Sequence, residues 1–151
     1  MKIEDIIKTN KPLKLSKQVI INIIHSGIFV SFQLNKALKE FDITLQQFNV
    51  LRILRGQNGN CLNLSEIQER MINANSNTTR LIDKLVLKNY AKREIDSENR
   101  RKVSICITKT GLTFLKQLDD IIDRKEEEKI VSNLTKDECV LLNTLLEKIR
   151  T

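Results

Sequence analysis

The chemistry this chain could do is concentrated in one polar run, Asn75-Ser76-Asn77-Thr78-Thr79-Arg80. Short hydrogen-bonding side chains followed by a guanidinium can meet base edges or phosphates at little desolvation cost, and Arg can pair two-pronged with guanine. Lys84 and Lys88 follow at helical spacing and suit phosphates. A second cluster, Arg93, Arg100, Arg101 and Lys102, surrounds the turn-forming Asp96-Ser97-Glu98-Asn99. Arginine is well suited to a narrow minor groove. The plainer alternatives are a helix cap with Arg80 paired to Asp83, and a solvated charged turn. One cap does not need so many polar residues in a row, and adjacent arginines directly after a turn favour contact with an anion.

The charge distribution supports that weighting. From Arg70 to Lys102 there are nine Lys/Arg and four Asp/Glu, whereas residues 111–151 hold seven against nine. Residues 1–60 are also basic, nine against four, so the asymmetry supports the case without settling it. The whole chain of 151 residues carries a formal charge of +7, which invites an anionic partner.

Other chemistries are poorly served. One histidine, His25, leaves no basis for histidine catalysis or a two-histidine metal site. No Gly-rich phosphate loop is present. Cys61, Cys106 and Cys139 are an odd, widely spaced set without a CxxC pair, so neither a disulfide framework nor a zinc site is expected. Cys106 reads as a small core residue on a strand, Cys139 as part of the first turn of the last helix, and Cys61 as the exposed one in a polar loop. The acidic stretch Asp119 to Glu128 is interleaved with Lys, Arg and Ile and reads as a salt-bridged helix face. No catalytic residues, no cofactor and no metal are therefore expected. The N-terminus lacks the pattern of a secretory signal, and the longest apolar run, from Val19, falls far short of a membrane span. A cytoplasmic protein with no membrane partner is the expectation.

Four glycines and one proline point to long helices and short turns. Residues 1 to about 15 read as a flexible or partner-docked arm. Ser16 to about Glu40 has helical apolar spacing with one wide apolar face, longer than a domain of this size covers alone. Thr44-Leu45-Gln46-Gln47, Ser65-Glu66-Ile67-Gln68 and Thr135-Lys136-Asp137-Glu138 fit capping boxes. A helix is expected over about Ser76–Lys88, with Leu81, Ile82 and Leu85 inward. Then the period changes: Tyr90–Ile95 and the strictly alternating Val103-Ser104-Ile105-Cys106-Ile107 read as a hairpin. Thr108 caps a helix that runs into the charged stretch, and a last helix carries Leu141, Leu142, Leu145, Leu146 and Ile149.

The expected fold is thus mainly α: a winged helix-turn-helix with a two-stranded β wing, flanked by N- and C-terminal dimerisation helices. Residues 1–40 form the arm and first dimerisation helix, 41–110 the winged lobe, and 111–151 the C-terminal dimerisation helices, all in one compact chain. The stretches LQQFNVLRIL, LSEIQERM and NSNTTRLIDKLVLKNYAKREIDSENRRKVSICITKTG resemble MarR-type transcriptional regulators over about Thr44–Leu118. In that family's hairpin pattern D-x-x-D-x-R, Asp96 and Arg101 match, and Asn99 replaces the second acid, which removes one salt bridge from the turn. The resemblance implies a homodimer on a pseudo-palindromic double-stranded operator, most simply a repressor, released by a small molecule bound between dimerisation helices and DNA-binding lobe or regulated by cysteine oxidation.

The implied DNA contacts are Asn75, Ser76, Asn77, Thr78, Thr79, Arg80 and Lys84 from the recognition helix, with Arg93, Arg100, Arg101 and Lys102 from the wing. His25, Phe29 and Phe32 on the first long helix are candidates for an effector pocket, against a plainer core or interface role. A winged helix can alternatively serve as a protein-interaction module without DNA binding. Such a module would show an apolar patch where this chain has Ser, Asn, Thr, Arg and Lys.

Overall fold

The computed structural model describes residues 2–73, 76–95 and 103–151, with Arg124 by its backbone alone. Helix follows helix, as the scarcity of chain breakers demands: α1 (Ile3–Ile6), α2 (Leu15–Leu38), a short 3-10 turn (Lys39–Phe41), α3 (Leu45–Arg55), α4 (Leu64–Arg70) and α5 (Thr78–Leu87). A hairpin, β1 (Ala91–Ile95) and β2 (Val103–Ile107), precedes α6 (Lys109–Ile121). A π-helical segment (Ile122–Glu127), α7 (Glu128–Ile130) and α8 (Lys136–Ile149) complete the chain. This is the winged helix-turn-helix with flanking helices that the patterning predicts.

Side-chain caps fix the helix starts. Thr44 Oγ1 accepts from the Gln47 N–H at 3.2 Å, and Gln47 Oε1 accepts from the Thr44 N–H at 3.0 Å. Thr135 and Glu138 form the same reciprocal pair at α8. At α4 the box is displaced from its expected position. Asn63, not Ser65, is the N-cap, with Glu66 closing the box from the third helical position. Either residue type can cap, and the start is set by Leu62, whose pairing with β2 leaves Asn63 extended.

The core lies where α3, α4, α5, β2 and α6 meet: Phe48, Leu51, Leu54, Ile67, Ile82, Leu85, Ile105, Leu115 and Leu118 are all buried. Leu38 from the end of α2 and Ile122 from the π-helical segment join it. The hairpin pairs Ala91 with Ile107 through Ile95 with Val103, and an isolated bridge joins Leu62 to Ile105 of β2. Asn89, in the left-handed region at φ 57°, turns the chain out of α5 into β1. Gly111 allows the first turn of α6 to rest on that turn: a Cβ there would lie 2.1 Å from the Tyr90 carbonyl oxygen. Tyr90 stacks on Phe114 of α6, ring centroids 4.2 Å apart, and so fixes hairpin to α6.

The acidic stretch is salt-bridged, as expected, and its partners are on α3. Arg55 meets Asp119 at 2.5 Å, and Arg52 reaches Asp123 at 3.5 Å and Glu127 at 3.9 Å. Burial, with Asp123 nearby, raises the Glu127 pKa above its usual carboxylate value, and Arg52 opposes the shift. The N-terminal arm is docked on α2: Ile3 is buried, and Gln18 Nε2 donates to Glu4 Oε1 at 2.6 Å.

Two helices remain unfinished within one chain. α2 presents Val19, Ile20, Ile23, Ile24, Ile28, Phe29 and Phe32 to solvent, Ile28 at 65% exposure. α8 buries no side chain and exposes Val140, Leu141, Leu142, Leu145 and Ile149. By length and composition α2, run on through Phe41, would qualify to cross a bilayer, contrary to the expectation drawn from its longest uninterrupted apolar run. Gln18, Asn22, His25, Gln33 and Lys36 interrupt its apolar residues along one side.

Candidate nucleic-acid interface

The second helix of the helix-turn-helix, α5, is built to be buried on one side and polar on the other. Ile82 and Leu85 enter the core, while Thr79, Arg80 and Lys84 are exposed. The polar run does not act as one surface. Asn77 is the N-cap, its Oδ1 accepting from the Arg80 N–H at 3.1 Å. Thr78 is only 3% exposed, and its hydroxyl donates to the Ser76 carbonyl at 3.3 Å. Ser76 is half-buried. Asn75 lies outside the described residues. The outward face of the helix start is therefore Asn77, Thr79, Arg80 and, one turn on, Lys84.

Arg80 is not paired with Asp83. That carboxylate is bonded by Arg93 of β1, so Arg93 fastens the hairpin to α5. Lys88 is likewise tied down: its Nζ meets Asp42 Oδ2 at 2.6 Å and also bonds the Asp42 carbonyl. The Lys88 ammonium holds the Asp42 carboxyl below its ordinary pKa. Lys88 thus anchors α5 to the turn after α2. Arg100, Arg101 and Lys102 lie outside the described residues.

A cleft of about 480 Å³ lies beside α5, lined by Asn35 from the end of α2, by Lys39 of the 3-10 turn, by Asp42, Ile43, Thr44 and Gln47, and by Lys84, Leu87 and Lys88. A smaller one, about 260 Å³, opens between the start of α3 and the start of α5, and Arg80 and Lys84 both line it. His25, Phe29 and Phe32 are on the exposed face of α2 and line neither cleft.

Cysteine placement departs from expectation. Cys61 and Cys106 are joined by a disulfide, Cα atoms 4.5 Å apart, and Cys139 is free. The missing signal is non-local: the Leu62–Ile105 bridge sets Cys61 opposite Cys106, and no sequence spacing encodes it. Glu94 joins the two sulfurs in a cluster of metal-ligating types. With the sulfurs bonded to each other, no thiolate is available there for a cation.

Comparison with known proteins agrees with this architecture. The sequence model of the MarR family matches residues 43–103. The HTH-type transcriptional regulator PapX of Escherichia coli is 31% identical over 72% of this chain, which spans 66% of that relative's length. The multiple antibiotic resistance protein MarR of E. coli K12 is 29% identical over 77% of this chain and 79% of its own. Among solved structures, a cysteine-to-serine mutant of E. coli MarR complexed with operator DNA matches with a TM-score of 0.76 at 27% identity, covering 91% of this chain and 99% of that one. A MarR-like transcription regulator from Bacillus cereus matches at 0.78 and 25% identity, covering 89% and 95%. The sequence match falls on the helix pair and hairpin, and the fold match extends through the flanking helices, so this chain is a member of the MarR family of DNA-binding transcriptional regulators.

Proposed function

We propose that the protein is a cytoplasmic homodimer that binds a pseudo-palindromic operator, represses by occluding a promoter, and is released by a small molecule. The observation that carries DNA recognition is the outward face of α5, where Thr79, Arg80 and Lys84 stand exposed beside a capped helix start. Such a face fits a major groove, with Arg80 for a base edge and Lys84 for a phosphate. The wing residues Arg100, Arg101 and Lys102 supply the neighbouring minor-groove contact. Dimerisation is supported by the uncovered apolar faces of α2 and α8. Two-fold pairing would set two recognition helices roughly 34 Å apart, one turn of DNA.

The cleft shared by α2, α3 and α5 suits the effector. It joins the dimerisation helix to the recognition helix, and Lys39 and Lys84 favour an anionic molecule. A ligand there would act by preferring one placement of α5 over another. Gel shift at fixed salt tests the DNA assignment. Arg80→Ala should weaken operator binding by roughly 1–3 kcal/mol, while Arg101→Ala weakens binding and lowers its salt dependence. Unchanged affinity in both variants would remove these residues from the interface.

A further inference from the structure

We infer that Cys61 and Cys106 form a reversible thiol–disulfide couple that opens and closes a covalent ring around α4, α5 and β1. The backbone brings the two residues together independently of the bond. Leu62 and Ile105 exchange both backbone hydrogen bonds, at 3.0 and 2.7 Å, so the adjacent Cys61 and Cys106 fall in the non-hydrogen-bonded antiparallel position. There Cα atoms lie about 4.5 Å apart and side chains approach most closely. Two reduced thiols in this register remain neighbours.

The site has the features of a labile bond. The pair lies on one face of the small sheet with Lys92 and Glu94, since Lys92 is registered with Cys106 and Glu94 is two residues on. Ile105 and Ala91 point the other way, into the core. Cys61 is half-buried in the polar loop after Gly59, whereas Cys106 is 5% exposed. Attack from solution therefore falls on Cys61. Glu94 Oε2, 3.9 Å from Cys61 Sγ, can accept the thiol hydrogen of the reduced form. In the cytoplasmic location proposed above, on which the inference rests, disulfides are usually transient, catalytic or redox-sensing.

Closure proceeds by exchange with a low-molecular-weight disulfide RSSR. The Cys61 thiolate attacks one sulfur, forming a mixed disulfide and expelling RS⁻. Cys106, deprotonated, then attacks the Cys61 sulfur and expels the second RS⁻. Two protein thiols are oxidised, one RSSR is reduced to two RSH, and the two protons leave with the products. Excess RSH drives the reverse. The ring spans a sequence separation of 45 residues, so closure restricts the unfolded chain strongly and should raise the melting midpoint by about 10 °C.

The full chain equilibrated in graded glutathione and glutathione disulfide, then quenched, alkylated and mapped by mass, tests this. Cys61 and Cys106 should lose alkylation together as the disulfide form of the buffer increases and regain it in excess reduced glutathione, with the melting midpoint moving in step. Cys61→Ser should melt like the reduced wild type in every buffer, and Cys139→Ser should cycle like the wild type. Thiols that never bond, a bond that survives excess reduced glutathione, bonding that requires Cys139, or a bond that leaves the melting midpoint at the Cys61→Ser value would each overturn the inference.

Discussion

At the residue scale, side chains of the same type have different tasks. Arg80 and Arg93 are both Arg in the basic segment, yet Arg93 is engaged by Asp83 while Arg80 faces outward from α5. Lys84 and Lys88 differ in the same way, Lys88 being held by Asp42. Truncation should separate them. Lys84→Ala should weaken binding to all duplexes alike and reduce the salt slope by about one. Asp83→Ala and Arg93→Ala should instead act on stability, by less than about 1 kcal/mol each for so exposed a pair, with non-additivity in the double variant measured by denaturant melts. Gly111→Ala is the severe case. A methyl placed 2.1 Å from the Tyr90 oxygen must displace the hairpin or α6, and a loss of about 1–3 kcal/mol is expected in the same melts. The polar run from Asn75 to Arg80 was legible as a helix start, but not its division into cap, buried hydroxyl and outward face. That division depends on the angle at which α5 meets the core, which only the whole lobe sets.

Elements were more legible than residues because their signals are local. The Thr44–Gln47 and Thr135–Glu138 boxes and the Thr108 cap sit at their expected positions. The alternation of Val103–Ile107 is the second strand of the hairpin. What sequence could not supply was contact between distant segments. The Leu62–Ile105 bridge moved the α4 cap to Asn63 and joined Cys61 to Cys106, and the acidic stretch found its cations on α3. The α8 cap yields a pH prediction. Hydrogen bonds from the Thr135 N–H and hydroxyl hold Glu138 below its ordinary pKa of 4.5. The carboxylate therefore contributes its stability in full above that value and loses it as pH falls through the lower folded pKa. Glu138→Gln should lower the melting midpoint most at neutral pH. The gap from the wild type should shrink as acid is added below about pH 4.5; a constant gap would exclude this charge as its origin.

At the scale of the whole molecule, the single chain is complete around α3–α6 and incomplete at both ends. The apolar faces of α2 and α8 are uncovered in the single chain, and they belong to the segments that flank the winged lobe; extended exposed apolar surface of this kind marks an interaction site. Burying them between two chains, as proposed, would supply the second recognition helix for the proposed two-fold operator. Charge placed on that face should undo it. Ile24→Glu with Ile28→Glu should shift the mass measured by light scattering from two chains to one and abolish tight operator binding, while the far-ultraviolet helix signal persists.

Selection of bound sequences from a random duplex pool, followed by footprinting of the winner, tests the proposed dimeric reader most directly. The expected result is a pair of inverted half-sites with centres about one DNA turn apart, both protected at one concentration and both lost in Arg80→Ala. Recovery of no enriched sequence, or of a lone half-site occupied by one chain, would contradict it.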